Sequence, residues 1–170
     1  KPQDPALVRN PNTNELLMYM GRDDDAGWAY IQVGWRRSDY RPAPSMRVGQ
    51  GVAADVSRQE VVMFGGANDT GFLGDTWIAA GTRNTFVRMK PTTSPSPRNG
   101  HRLAYDRLRK TMVLFGGRDA SRFLNDTWLW DGTNWRKAQP ATSPTPRAFY
   151  GLAFDDPSGD IFLVGGEGDS

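Results

Sequence analysis

The sequence predicts an all-β fold assembled from repeated four-stranded units, and three observations predict it. A block of 49 to 51 residues recurs with its arginines, glycines and tryptophans in register. Within each block, short apolar segments of strand length alternate with Gly, Pro, Asn and Asp. No segment sustains a helical pattern once equivalent blocks are compared.

Three segments open the blocks: "PSMRVGQGVAAD" from Pro44, "PSPRNGHRLAYD" from Pro95 and "PTPRAFYGLAFD" from Pro144. Each runs Pro-x-x-Arg and reaches an Asp eight residues after the Arg, at Asp55, Asp106 and Asp155. An apolar segment closed by Gly-Gly follows, "VVMFGG", "TMVLFGG" or "IFLVGG", its first glycine 18 residues after the Arg. Trp77 and Trp128 each stand eleven residues beyond the second glycine, in "DTW". A further aromatic, Phe86 or Trp135, precedes the next Arg by 12 residues. Trp35 precedes Arg47 by the same 12, and Trp28 precedes Trp35 by 7, as Trp128 precedes Trp135. "LLMYMG" stands where the Gly-Gly strands stand, with Met20 in place of the first glycine. The units are therefore 1–46, a leading piece without its first strand; 47–97 and 98–146, both whole; and 147–170, a trailing piece that stops just past Gly-Gly.

One segment competes. In "HRLAYDRLRKTMVLF", Leu103, Ala104, Leu108, Met112 and Phe115 fit a helical stripe. Its counterpart "GQGVAADVSRQEVVMF" holds two glycines and a β-branched pair, poor helix material. Copies of one repeat share one structure, so strands are expected near 100–105, 111–115, 125–131 and 134–138. A period near fifty with four short strands per unit is that of propeller blades.

The recurring Pro-x-x-Arg-x-Gly, Gly-Gly, Asp-Thr-Trp and later Trp resemble kelch repeats, particularly the bacterial type with "NDTWLWDG-NW" blades, over about residues 15–170. The resemblance implies an incomplete kelch-type β-propeller, two whole four-stranded blades with a partial blade at each end. It also implies that Arg47, Arg98 and Arg147 open the innermost strands and contribute to a ligand-binding ring at the central mouth, where guanidinium forks match carboxylates. The alternative for these arginines is a structural tie from blade to blade. Localisation stays open, and the bacterial-type resemblance leans to a secreted or cell-surface setting.

Composition bounds the chemistry. Twenty-one basic and 19 acidic side chains in 170 residues leave a net charge of +2, too little for a basic stripe despite a pI of 9.1, so no nucleic-acid partner is expected. No apolar run approaches the ~20 residues that cross a bilayer, so no membrane insertion is expected. There is no cysteine and a single histidine, His101. A copper-radical oxidase site, built on a Cys–Tyr cross-link and two His ligands, is thereby excluded from these residues. No cofactor and no resident metal are implied.

Each recurring residue has a structural role to weigh against a functional one. The Gly-Gly doublets suit sharp turns and close backbone approach, and no helix follows to make them a phosphate cradle. Trp77, Trp128 and Trp135 suit packing between blades better than a stacking platform, because they recur once per unit. Asp75 and Asp126, ahead of Thr-Trp, and Asp55, Asp106 and Asp155, at the first hairpin, suit turn chemistry rather than paired catalysis. The acidic loops at Asp23–Asp25 and at Glu167 and Asp169 have calcium-type oxygens without the spacing of a calcium loop. Asn68 and Asn125 stand in N-glycosylation patterns.

The leading functional expectation is a non-catalytic interaction or scaffold module for a protein or peptide partner. A glycan-binding or carbohydrate-active propeller is the alternative, suggested by "NPNTNELLMYMG". The chain begins at Lys1, without Met. An open arc leaves apolar blade faces and a free strand edge, so these residues are expected to pack against further blades, another copy or another subunit.

Overall fold

The computed structural model describes residues 6–19, 27–31, 34–38, 44–80 and 85–169. They form antiparallel sheets, each made of consecutive strands, and no helix occurs among them. The first sheet is β1 (Ala6–Arg9), β2 (Leu16–Tyr19), β3 (Gly27–Ile31) and β4 (Gly34–Ser38). The second is β5 (Gly51–Asp55), β6 (Glu60–Asn68), β7 (Gly71–Ala80) and β8 (Phe86–Arg88). The third is β9 (Arg102–Asp106), β10 (Thr111–Phe115), β11 (Thr127–Trp130) and β12 (Trp135–Lys137). A two-stranded sheet, β13 (Gly151–Asp155) and β14 (Asp160–Val164), ends the described chain. The segment with the competing helical stripe is the β9–β10 hairpin, as its glycine-bearing counterpart required.

The incomplete kelch-type arrangement is the expected one, with a difference at the leading end. That unit was expected without a first strand, and β1 supplies it, paired with β2 from Ala6↔Tyr19 to Arg9↔Leu16. The hairpin escapes sequence comparison because its landmarks are replaced. Asn10 stands where the other copies have Asp55, Asp106 and Asp155, and Pro2 stands where they have the arginine. Asn10 Oδ1 accepts from the N–H of Asn12 at 2.8 Å, as Asp55 Oδ1 accepts from that of Ser57 at 3.0 Å. Asn14, Gln59, Lys110 and Gly159, each four residues on, all take a left-handed φ of 51–73°. Four hairpins thus share one turn, closed by a short side-chain acceptor.

The sheets stand face to face. The first strands meet one another in the order β1, β5, β9, β13, which places them innermost. The main core lies between the second and third sheets: Val62, Phe64, Ile78 and Leu103 pack with Tyr105, Met112, Leu114, Trp128, Trp130 and Trp135. A second cluster joins Val8 to Val61, Met63, Ala79 and Phe86, with Trp77 against it. Trp128, Trp130 and Trp135 are therefore interior, and Trp77 is half-buried. Trp130 and Trp135 pack with their rings tilted by 44° and centroids 5.3 Å apart, and Trp135 Nε1 donates across the interface to Thr76 Oγ1 at 2.9 Å. A buried indole N–H usually finds such a partner, whereas that of Trp130 has none among the described residues.

The glycine doublets sit where backbones converge. Gly65 and Gly116 have φ of 61° and 54°, and a Cβ on either would stand 2.8 Å from the carbonyl oxygen of Arg98 or Arg147 in the next sheet. The following glycines, Gly66 and Gly117, donate to those same carbonyls at 2.9 Å. Any side chain there would force the sheets apart.

Candidate functional site

The three arginines lie in the Pro-x-x-Arg segments, four residues before the first strands β5, β9 and β13, and their local geometry repeats. Arg47 Nε donates to the carbonyl of Ser45, Nη1 to the carbonyl of Gly65, and Nη2 to Ser45 Oγ. The fork then closes on Asp75, at 2.5 and 3.0 Å. Arg98 repeats every contact, with Ser96, Gly116 and Asp126, the last at 2.6 and 3.0 Å. Each carboxylate also accepts from the indole of its own Asp-Thr-Trp motif, Trp77 at 2.6 Å and Trp128 at 2.7 Å. Burial pushes the Asp75 carboxyl up, but its hydrogen bonds to Arg47 and Trp77 outweigh this and hold it below the usual range. Asp126 is held down in the same way by Arg98 and Trp128.

Arg47 and Arg98 are 5% and 1% exposed, so their forks face a carboxylate inside the blade and present no free donor edge to solvent. These aspartates serve an arginine and a tryptophan rather than turn backbone as expected. Arg147 differs. It keeps the bonds to Thr145 and the Gly165 carbonyl but has no carboxylate among the described residues.

Three residues after Arg98 and Arg147 stands a blade-to-blade bridge. The Tyr150 hydroxyl donates to the carbonyl of Phe115 and accepts from the Arg102 N–H at 3.2 Å. His101 Nε2 faces the equivalent pair, 3.0 Å from the Phe64 carbonyl oxygen and 3.1 Å from the Gly51 nitrogen. A hydroxyl satisfies both partners at once, whereas one imidazole nitrogen serves only one in a given tautomer. His101 is fully buried and Nδ1 has no partner. Burial, reinforced by the Arg98 charge, lowers its pKa to about 3.

Around this constant frame, other positions differ from copy to copy. The residue after each arginine, Val48, Asn99 or Ala148, bridges to the residue after the doublet, Ala67, Arg118 or Glu167. The next position is Gly49, Gly100 or Phe149, all with positive φ, of 66°, 68° and 55°. Phe149 thus holds a bulky side chain in a conformation that its counterparts reach without one, at a cost of about 1–2 kcal/mol. Its ring lies beside Gly100, where an added Cβ would meet it at 3.0 Å. The Arg118 guanidinium covers the ring at 5.3 Å, its Nε donates to Asn99 Oδ1 at 3.3 Å, and its Nη1 lies 3.8 Å from Glu167 Oε1. Arg118 and Glu167 remain 44% and 56% exposed at the side chain. Aromatic stacking and a hydrogen bond hold the guanidinium while its outer edge faces solvent.

The family model described as the KLHDC2/KLHL20/DRC7 Kelch-repeats domain matches residues 10–170. The chain belongs to the Kelch-repeat family. The β-propeller character, the all-β content and the repeat organisation follow with it.

The sequence-based expectation singled out what recurs and so named Arg47, Arg98 and Arg147. Phe149, Arg118 and Asn99 escaped as ligand candidates because they do not recur, and Glu167 was weighed only as a calcium-type oxygen. The signal was present: "PTPRAFYG" puts Phe where its two counterparts have Gly. The acidic stretch Asp23–Asp25 lies outside the described residues. Glu167 faces Arg118, and Asp169 is exposed. Among the described residues no helix is long and apolar enough to cross a membrane.

Proposed function

We propose that the chain is a non-catalytic protein-interaction module that engages a protein or peptide partner through the mouth formed by Asn99, Arg118, Phe149 and Glu167. The observation that carries this reading is Phe149. A large residue in a left-handed conformation, at a position otherwise glycine, costs stability and gives the frame nothing that its counterparts need. Retained strain of this kind marks functional positions. A ligand bound across several repeats also breaks their symmetry, so its contacts belong at positions where the copies differ.

In this reading Arg47 and Arg98 are ties inside their blades, and Arg118 takes the role expected of the arginine ring. Tyr and Phe faces with an adjacent Arg are the usual anchors of protein interfaces.

The test is to select peptides from a random displayed library on the 170-residue chain, then titrate them against two variants by calorimetry. Phe149→Gly and Arg118→Ala are each expected to weaken binding at least tenfold. Phe149→Gly should change stability by no more than about 1 kcal/mol, since relief of strain offsets the flexibility of glycine. Selected peptides that bind both variants as tightly as the original chain would overturn the proposal.

A further inference from the structure

Residues 91–97, which lead from the second sheet into the third, form neither helix nor strand and place Ser94-Pro95-Ser96-Pro97 directly ahead of Arg98. The two prolines hold Ser96 in extended backbone, because a residue before proline is driven out of the helical region. Ser96 is exposed, whereas Arg98, two residues on, is 1% exposed. The segment ahead of Arg147 repeats the pattern with Thr145-Pro146, but the one ahead of Arg47 reads Ser45-Met46. The hydroxyl is thus part of the repeated frame, and the proline after it is not.

One nitrogen connects this exposed hydroxyl to the interior. Arg98 Nη2 donates to Ser96 Oγ at 2.9 Å and to Asp126 Oδ2 at 3.0 Å. The same Asp126 oxygen accepts from the Trp128 indole at 2.7 Å. The Asp126 side chain is 17% exposed and immediately precedes β11.

We propose that Ser96 is a phosphorylation site for a proline-directed serine/threonine kinase, and that its phosphate competes with Asp126 for the Arg98 guanidinium and so loosens the third sheet. The Ser96 hydroxyl oxygen attacks the γ-phosphorus of ATP and the bond from that phosphorus to the β,γ-bridging oxygen breaks. ADP leaves, and the hydroxyl proton passes to the base of the kinase. The product brings a charge of about −2 and three acceptor oxygens to a place one hydrogen bond from the guanidinium. One guanidinium cannot neutralise both anions. Either the fork turns to the phosphate and leaves Asp126 with the indole alone, or phosphate and carboxylate repel each other across Nη2. Both outcomes weaken the tie between the Arg98 segment and β11.

The test uses the 170-residue chain with Ser94→Ala, Ser143→Ala and Thr145→Ala, which leaves Ser96 as its one Ser-Pro or Thr-Pro site. A proline-directed kinase that accepts a synthetic peptide of residues 90–99 carrying Ser94→Ala is applied with ATP and Mg²⁺, and the site is mapped by mass spectrometry. Phosphate is expected on Ser96 of the folded chain, with a melting temperature several degrees below that of the unmodified control. With Asp126→Asn added, the guanidinium takes the phosphate without a rival anion, and phosphorylation should no longer lower the melting temperature. Each shift is read within one background, so a lower starting stability of the Asn variant does not enter. Modification of the peptide but not of the folded chain would overturn the inference, as would failure of such kinases on the peptide. An unchanged melting temperature on phosphorylation, or an equal fall with Asp126→Asn, would overturn it too.

Discussion

Val62 and Phe64 in β6 stand at the same repeat positions as Phe162 and Val164 in β14, and Arg98 at the same position as Arg147. The first of each pair lies inside a closed unit, and the second faces solvent. The hairpins are otherwise alike, with five-residue pairing from Gly51↔Phe64 to Asp55↔Glu60 and from Gly151↔Val164 to Asp155↔Asp160. Burial in this fold is therefore a property of the neighbouring strand and sheet, not of the hairpin. The arginine shows the same rule in electrostatic form, since its backbone contacts come from its own hairpin and its carboxylate from the strand beside it.

The largest expected effect breaks that comparison at the arginines. Arg98→Ala leaves the half-buried Asp126 carboxylate without its cation, which costs up to about 3–5 kcal/mol. Arg147→Ala strands no carboxylate among the described residues and is expected to cost no more than about 0.5 kcal/mol. Urea denaturation of both variants measures the difference, and equal losses would mean that the Asp126 contact contributes little.

The repeat frame was legible in the sequence because periodic landmarks identify one another. Arg98, Gly116, Trp128 and Trp135 are recognisable through Arg47, Gly65, Trp77 and Phe86. The arginine–aspartate tie was also within reach, since Asp75 follows Arg47 and Asp126 follows Arg98 by the same 28 residues. Two things were hidden. The β1–β2 hairpin keeps its turn but has lost the arginine and the first glycine, so chemistry that Asn10 shares with aspartate did not register as identity. Phe149 and Arg118 belong to the part of the molecule that does not repeat, and a search for recurrence discards such positions.

A smaller effect sharpens the contrast between the two blade-to-blade bridges. His101 titrates near pH 6.5 when unfolded and near 3 when folded. The unfolded chain therefore binds the extra proton first as pH falls. The His101 contribution is complete above about pH 6.5 and declines toward pH 3. Between pH 7 and pH 5 the loss amounts to about 2 kcal/mol. His101→Tyr, which places at this bridge the residue found at Tyr150, should remove that slope. Denaturant midpoints at the two pH values check it, and an unchanged slope in the variant would assign the pH dependence to another group.

Amide hydrogen exchange, followed residue by residue in the 170-residue chain, tests most directly whether the trailing hairpin is an open version of a closed unit. The amides of β10, from Thr111 to Phe115, are expected to exchange only through global unfolding. Those of β14, from Asp160 to Val164, should exchange about a hundredfold faster or more, through local opening. Equal protection of β10 and β14 would contradict the account.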